Sequence, residues 1–162
     1  MYDDHSNVQL ALDVARTVAL SYLGTWYKWG GDDPSGTDCS GLVVSILKSV
    51  GILRRKSDYT AHGLARRFLD YRLETPARGA LVFYGKRVSQ EEGFKILKAN
   101  SLNLKITHVE YMIDHIHSIG ASGGGSRTLT VQDAIRDNAF VKIRPAEGYI
   151  FIVDPFKRKN HV

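Results

Sequence analysis

Several features that define whole classes of protein are missing from this sequence. Its 162 residues include one cysteine, which excludes an internal disulfide, a cysteine-rich zinc module and an iron–sulfur cluster. No apolar run approaches the roughly 20 residues that a membrane-spanning helix needs. The opening residues, MYDDHSNVQL, lack the basic start and apolar core of a secretory signal. The sequence therefore predicts a protein that either stays in its cell or leaves by another route.

Composition and charge favour one folded domain over residues 1–162. Hydrophobic residues make up 43% and charged residues 24% of the chain, which excludes bulk disorder, and the length suits one domain. The net charge of +5 favours a polyanionic partner, which could be nucleic acid, an anionic membrane or a bacterial wall rich in phosphate and carboxylate, and charge alone does not choose among these. The basic clusters at 54–56 and 157–159 are short and have no interleaved aromatic residues, so we expect no nucleic-acid partner. We also expect a monomer.

Apolar periodicity divides the chain into an early helical part and a later strand-rich part. Helical spacing predicts helices over 7–23, with Ser6 as N-cap, over 40–50 and over 60–69. After Pro76, β-rich runs between turn residues predict strands over 80–84, 109–113, 116–121, 140–144 and 149–153. Helices followed by strands indicate an α+β domain with a mainly antiparallel sheet of five to six strands. Residues 86–106 fit neither pattern and are predicted to form an insertion with a short helix over 91–99.

The single cysteine lies where a reactive thiol is expected. Cys39 stands between Asp38 and Ser40, immediately before the predicted helix over 40–50. The free N–H groups and partial positive charge of a helix N-terminus stabilise a thiolate. The alternative interpretation is a buried structural cysteine, which is the commonest fate of a free one.

A thiolate nucleophile needs a base, which is usually histidine. Of the six histidines, His5 and His161 lie near the ends of the sequence, and His62 lies at the start of the third predicted helix. His108 opens a predicted strand, where its ring can face a cleft while its neighbours pack in the sheet. A base on a sheet that faces a nucleophile on a helix tip is the arrangement of papain-type cysteine hydrolases.

The stretch over 26–43, WYKWGGDDPSGTDCSGLV, resembles the active-site segment of the NlpC/P60 family. The family pattern there is roughly Tyr-x-Trp-Gly-Gly, a short loop, and Asp-Cys-Ser-Gly-Leu-Val. Similar segments follow in the family's order at 60–64 (TAHGL), 78–84 (RGALVFY) and 107–113 (THVEYMI). The resemblance covers about residues 15–125.

This resemblance implies a cysteine peptidase with a circularly rearranged papain-like fold and no metal or cofactor. Such enzymes cut peptidoglycan stem peptides, often between D-γ-glutamate and the following diamino acid. The resemblance implies that Cys39 is the nucleophile and His108 the general base, while Tyr27 and the Cys39 N–H stabilise the oxyanion. Asp38 and Ser40 match positions that hold the free amino end of the stem peptide. With no signal sequence visible, a phage-encoded enzyme or an unusual export route fits this function.

The main departure from the family pattern concerns a third polar residue, which usually follows the base by about twelve positions. That spacing leads to Gly120, which has no side chain to orient an imidazole. A different hairpin register would bring in His117, Ser118 or Ser122 instead, because a slip of one residue reverses the faces of a strand. We assign the third role to His117 as a working hypothesis.

A second departure is Glu110, which stands where a small residue is usual. It lies two positions after His108 and therefore on the same face of the predicted strand. Its carboxylate could tune the histidine, bind a cationic group of the substrate or simply lie at the surface, and we predict a substrate-binding role. Ala80 replaces a usual aspartate, and the insertion over 86–106 either flanks the cleft or forms a plain loop.

Three other functions deserve comparison with this one. The segment over 31–36 has the outer glycine spacing of a phosphate-binding loop but lacks the Lys-Ser/Thr pair that follows it, which argues against this function. His108, His115 and His117 could form a zinc site, although a polar hairpin turn is the simpler interpretation. A papain-like scaffold that has lost its activity could serve as a wall-binding module. The missing third residue gives this alternative some support, whereas the presence of Tyr27, Cys39 and His108 argues against it.

Overall fold

The computed structural model describes residues 4–89, 91 and 103–157. The helices are α1 (Asp4–Ser21), α2 (Cys39–Ser49), α3 (Ala61–Arg67) and α4 (Val131–Asp137), with a 3₁₀ turn at Leu69–Tyr71. The strands are β1 (Asp32–Asp33), β2 (Gly36–Thr37), β3 (Leu81–Arg87), β4 (Leu104–Met112), β5 (His117–Ser122), β6 (Phe140–Pro145) and β7 (Phe151–Val153).

Five of these strands form one sheet in the order β6-β5-β4-β3-β7. Every neighbouring pair in it is antiparallel, which confirms the predicted α+β class and the strand count. β1 and β2 form a separate short ribbon directly before α2. The sequence did not predict this ribbon, because each of its strands has only two residues.

The first three helices lie close to their predicted positions. Asp38 is the N-cap of α2 and Thr60 is the N-cap of α3, and each side chain accepts a hydrogen bond from a backbone N–H in the first turn. The prediction of Ser6 as the first N-cap was wrong, because α1 already includes Asp4 and Ser6 lies within it. In the described part of the chain, no helix has both the length and the apolar character for crossing a bilayer.

Helix α4 was missed, and its burial explains why. Val131 and Ile135 are 43% and 64% exposed, and Ala134 is the buried residue of the helix. Its apolar residues therefore do not form the stripe that marks a core-facing helix. A capping box formed by Thr130 and Asp133 starts α4, and this was the signal in the sequence that could have identified it.

The main core lies between the helices and the sheet. The apolar face of α2 is fully buried there, and it packs against β4 and β5, while α3 also packs against β4. Burial of this face fixes the direction of α2, because each buried aliphatic side chain contributes about 1.5–3 kcal/mol relative to its exposed state. The N-terminus of α2 is thereby held beside the sheet.

A register shift in the pairing of β3 with β4 lies next to His108. Tyr84 pairs with His108, but the next residue of β3, Gly85, pairs with Ile106, so β4 carries one extra residue. Such a bulge reverses the inward and outward alternation of a strand. Ile106 before it and Val109 after it both belong to the main core, whereas His108 and Glu110 share the other side of β4.

The predicted insertion over 86–106 is partly strand. β3 continues to Arg87 and β4 begins at Leu104, so the ends of this segment extend the central hairpin. Of the predicted helix over 91–99, only residue 91 belongs to the described residues, and the rest lies outside them.

Candidate active site

Cys39 is the first residue of α2, and its neighbours hold the start of the helix in place. Asp38 Oδ1 accepts hydrogen bonds from the Gly41 N–H at 2.7 Å and from Ser40 Oγ at 3.2 Å, and Oδ2 accepts one from the Gly30 N–H at 3.0 Å. Cys39 is 9% exposed and lies in the wall of a cleft. The sulfur is therefore mostly buried but reachable.

The thiol of Cys39 interacts with the side chain of His108. Burial lowers the pKa of His108, but hydrogen bonds with Cys39 and with Glu110, together with the charges of these two groups, outweigh burial and raise it to about 9. Nε2 of the ring donates to Glu110 Oε1 at 2.9 Å, which leaves Nδ1 for the sulfur. The structure thus brings together Cys39 and His108, the two residues proposed from the sequence as nucleophile and base.

Glu110 lies beneath His108 and not in the wall of the cleft. Only 1% of its side chain is exposed, which leaves almost no surface that a substrate could touch. Burial raises the pKa of Glu110, but hydrogen bonds from His108, Arg144 and Ser118 outweigh it and lower the pKa to about 2. The carboxylate is therefore charged whenever the protein is folded near neutral pH.

Tyr27 lines the same cleft as Cys39 and is 4% exposed. Burial, followed by the nearby charges of Cys39 and Asp38, raises its pKa above the ordinary value, so the phenol keeps its proton as a hydrogen-bond donor. Gly124 packs against the ring, since a Cβ at that position would lie 2.2 Å from Tyr27 Cδ1. This contact was not predicted from the sequence, although the run over 122–126 (SGGGS) indicated a turn.

The cleft has a volume of about 710 Å³. Its lining includes the aromatic rings of Trp29 and Tyr59 and the three aspartates Asp32, Asp38 and Asp58. No lysine or arginine occurs among the described residues that line it, although the whole chain carries a net charge of +5. The cleft therefore favours a cationic group within a bound molecule.

His117, the working hypothesis for the third group, has a different neighbour. Its Nδ1 lies 3.0 Å from Asp114 Oδ2 at the tip of the β4–β5 hairpin, whereas the ring of His108 bonds to Glu110 and interacts with Cys39. His115 is exposed. Within residues 4–89, 91 and 103–157, no three metal-binding side chains cluster, so the arrangement does not favour the zinc alternative.

A model of the NlpC/P60 family matches residues 24–119, which is more than half of the chain. The chain belongs to the NlpC/P60 family. The bifunctional muramidase/DL-endopeptidase CwlT of Bacillus subtilis (strain 168) is 35% identical over 82 residues, which are 48% of this chain and 24% of that protein. The chain spans about a quarter or less of the length of the curated relatives it matches.

Solved structures of NlpC/P60 proteins share the fold. The peptidoglycan hydrolase RipB from Mycobacterium tuberculosis has a TM-score of 0.62 at 21% identity, over 96% of this chain and 70% of that one. The NlpC/p60 domain of the peptidoglycan hydrolase SagA has a TM-score of 0.54 at 21% identity, over 88% of this chain and 97% of that one. The family match contains Tyr27, Cys39 and His108 and ends one residue before Gly120.

Proposed function

We propose that this NlpC/P60 domain is a cysteine endopeptidase that hydrolyses the stem peptides of peptidoglycan. The observation that carries the proposal is the placement of Cys39 at the N-terminus of α2 and in the wall of the cleft, where its thiol interacts with the side chain of His108 on β4. A thiol in a cleft that is paired with a histidine of raised pKa supports nucleophilic acyl transfer.

The proposed reaction begins with transfer of the Cys39 proton to Nδ1 of His108. The sulfur attacks the peptide carbonyl, and the Tyr27 hydroxyl together with a backbone N–H at the start of α2 stabilises the oxyanion. One such donor contributes about 3–4 kcal/mol to the lowering of the barrier. His108 then protonates the leaving amine, and a water molecule hydrolyses the thioester.

The acidic lining of the cleft supports a substrate that carries an ammonium group. We assign Asp38 and Ser40 to the free amino end of the stem peptide, because both line the cleft beside Cys39. Asp38 also caps α2, so its carboxylate is already fixed in direction by three donors. The D-γ-glutamyl–diamino acid bond is the bond that we propose to be cut.

Digestion of purified muropeptides by the wild-type protein and by Cys39→Ala tests this function. Mass spectrometry of the products should show cleavage at one peptide bond by the wild type and none by the variant. Ser45→Ala, a change in the same helix outside the cleft lining, serves as the matched control and should cleave normally. Cleavage by Cys39→Ala would disprove the nucleophile.

The same experiment distinguishes the alternative of a wall-binding module without activity. That alternative expects the wild-type protein to sediment with purified cell walls while no new amino groups appear. Sensitivity to a chelator, with zinc found by elemental analysis, would instead favour the histidine-based metal site.

A further inference from the structure

The buried carboxylate of Glu110 accepts hydrogen bonds from three different side chains. Oε2 accepts from Ser118 Oγ at 2.6 Å and from Arg144 Nε at 3.2 Å, and Oε1 accepts from Arg144 Nε at 3.0 Å and from Nη2 at 2.9 Å. His108 Nε2 adds a further donor to Oε1. Donors on β4, β5 and β6 thus fix one buried carboxylate, and a fixed carboxylate can fix the ring that bonds to it.

The aromatic ring of Tyr84 closes the same cluster from β3. The centroids of the Tyr84 and His108 rings are 5.5 Å apart. Tyr84 also contacts Arg144, whose guanidinium carbon lies 5.0 Å from the centroid of the Tyr84 ring. Tyr84 therefore contacts both of the cationic groups that bond to Glu110. Its ring packs against the imidazole from the neighbouring strand.

The space that Glu110 occupies is left open by a glycine on the neighbouring strand. A Cβ on Gly120 would lie 2.4 Å from Glu110 Cγ and 2.7 Å from Cδ. Because the carboxylate is pinned by its donors, it cannot move aside as a flexible side chain could. A side chain at position 120 and the glutamate at position 110 therefore compete for the same space.

We infer that Glu110 is the positioning residue for His108, and that Gly120 is a glycine because this carboxylate reaches the imidazole from the base's own strand. The inference rests on the proposed function for its catalytic meaning. Glu110 stays ionised throughout: the thiol proton moves to Nδ1 of His108 and later to the leaving amine, while the Nε2–H bond to Oε1 persists. A charged partner also stabilises the imidazolium that forms.

Glu110→Gln tests the inference, because it keeps the size of the side chain and removes its charge. The pKa of His108 is measured by NMR titration in Cys39→Ser, with and without Glu110→Gln, so this readout needs no substrate. We expect the pKa of His108 to fall by about 1–3 in the double variant, the range for loss of an adjacent opposite charge. In the Cys39 protein, kcat should fall on the order of 100-fold and the alkaline limb of its pH profile should move to lower pH, with KM little changed.

Asp114→Asn is the matched control, since it removes the carboxylate that bonds to the other histidine of the hairpin. It should leave the pKa of His108 unchanged. If Glu110→Gln does not fold, Glu110→Asp keeps a charge beside Arg144 while withdrawing it from the ring, and it should lower the pKa of His108 in the same direction by a smaller amount.

An unchanged pKa of His108 in the folded Glu110 variant would overturn the inference, even if kcat fell, because the effect would then be structural. A shift caused by Asp114→Asn would also overturn it. If muropeptides are not cleaved at all, the proposed function fails while the titration still decides the role of Glu110.

Discussion

The β4–β5 hairpin carries two histidine–carboxylate pairs with nearly the same N···O distance. His108 lies 2.9 Å from Glu110, and His117 lies 3.0 Å from Asp114. Their surroundings differ: the side chains of the first pair are 21% and 1% exposed, and those of the second are 42% and 46% exposed. An ion pair in solvent contributes about 0–1 kcal/mol, whereas a partly desolvated pair interacts far more strongly. Burial, not distance, therefore decides which pair can control a reaction.

Asp114, the carboxylate of the exposed pair, stabilises the hairpin turn. Asp114 Oδ1 accepts hydrogen bonds from the backbone N–H groups of Ile116 at 2.7 Å and His117 at 2.6 Å. These backbone bonds, more than the His117 ring, lower the pKa of Asp114 to about 2. Asp114 thus closes the hairpin turn, in the way that short polar side chains commonly do.

Replacing each histidine by alanine should produce the largest difference between the two pairs. We expect His108→Ala to lower kcat/KM by at least about 100-fold, within the 10²–10⁴ that a general base contributes. His117→Ala should keep most of the activity, because its ring bonds to Asp114 at the hairpin tip. Muropeptide turnover measures both variants, and circular dichroism checks that each is folded. A comparable loss in His117→Ala would give that residue the third role assigned to it from the sequence.

The pH dependence of the reaction should report the buried pair. The imidazolium that protonates the leaving amine persists up to the raised pKa of His108, about 9. We therefore expect kcat to fall about tenfold per pH unit above that value. Salt near 1 M screens exposed ion pairs and should not shift the pH at which kcat begins to fall. A fall of kcat that begins near the ordinary pKa of a histidine would contradict the description of His108 and Glu110 as a buried pair.

The pKa values of His108 and Glu110 together fix the pH range in which this pair stabilises the fold. The pKa of His108 is raised from 6.5, so its contribution is complete below about 6.5 and is lost as pH rises through about 9. The pKa of Glu110 is lowered from 4.5, so its contribution is complete above about 4.5 and is lost as pH falls through about 2. Both contributions are complete between pH 4.5 and 6.5, where urea unfolding should give the highest stability from this pair.

Gly120→Ala tests whether the glycine at this position leaves the room that the Glu110 side chain needs. The new methyl group would overlap Glu110, and overpacking of this kind costs about 1–3 kcal/mol of unfolding free energy. In a Glu110→Ala background the overlap is gone, so the same change should be nearly neutral. Urea unfolding of the four proteins gives the coupling energy, and Gly125→Ala, where nothing lies within 4 Å of the added Cβ, is the matched control. Additive effects would show that Gly120 and Glu110 do not compete for space.

The two sides of the candidate active site differed in how far the sequence predicted their structure. Tyr27, Asp38, Cys39 and Ser40 lie within one contiguous motif, where the N-cap and the start of α2 follow from neighbouring residues. Local sequence therefore specified this side nearly completely. His108 on the other side was also predicted, because its strand carries a recognisable segment of the same family.

The support of His108 could not be predicted in the same way. Glu110 and Arg144 are 34 residues apart and meet only because β4, β5 and β6 pair in one register. A single sequence does not give that register, and a slip of one residue would have placed other side chains beside the ring. The family spacing of about twelve residues after the base leads to Gly120. In the structure, the space beside Gly120 is occupied by the carboxylate of Glu110, which lies two positions after His108.

Asp114→Ala should have the smallest effect, and it addresses the exposed pair directly. The variant loses two backbone hydrogen bonds in the turn, each of which contributes about 0.5–1.5 kcal/mol at most. Water can replace both at this exposed tip, so we expect a loss of about 1 kcal/mol in urea unfolding and little change in kcat. Asp114→Asn should recover most of the stability, because an amide oxygen can accept the same two bonds. A loss of activity in Asp114→Ala without a matching loss of stability would mean that the exposed pair communicates with the active site, and the contrast drawn from burial would then fail.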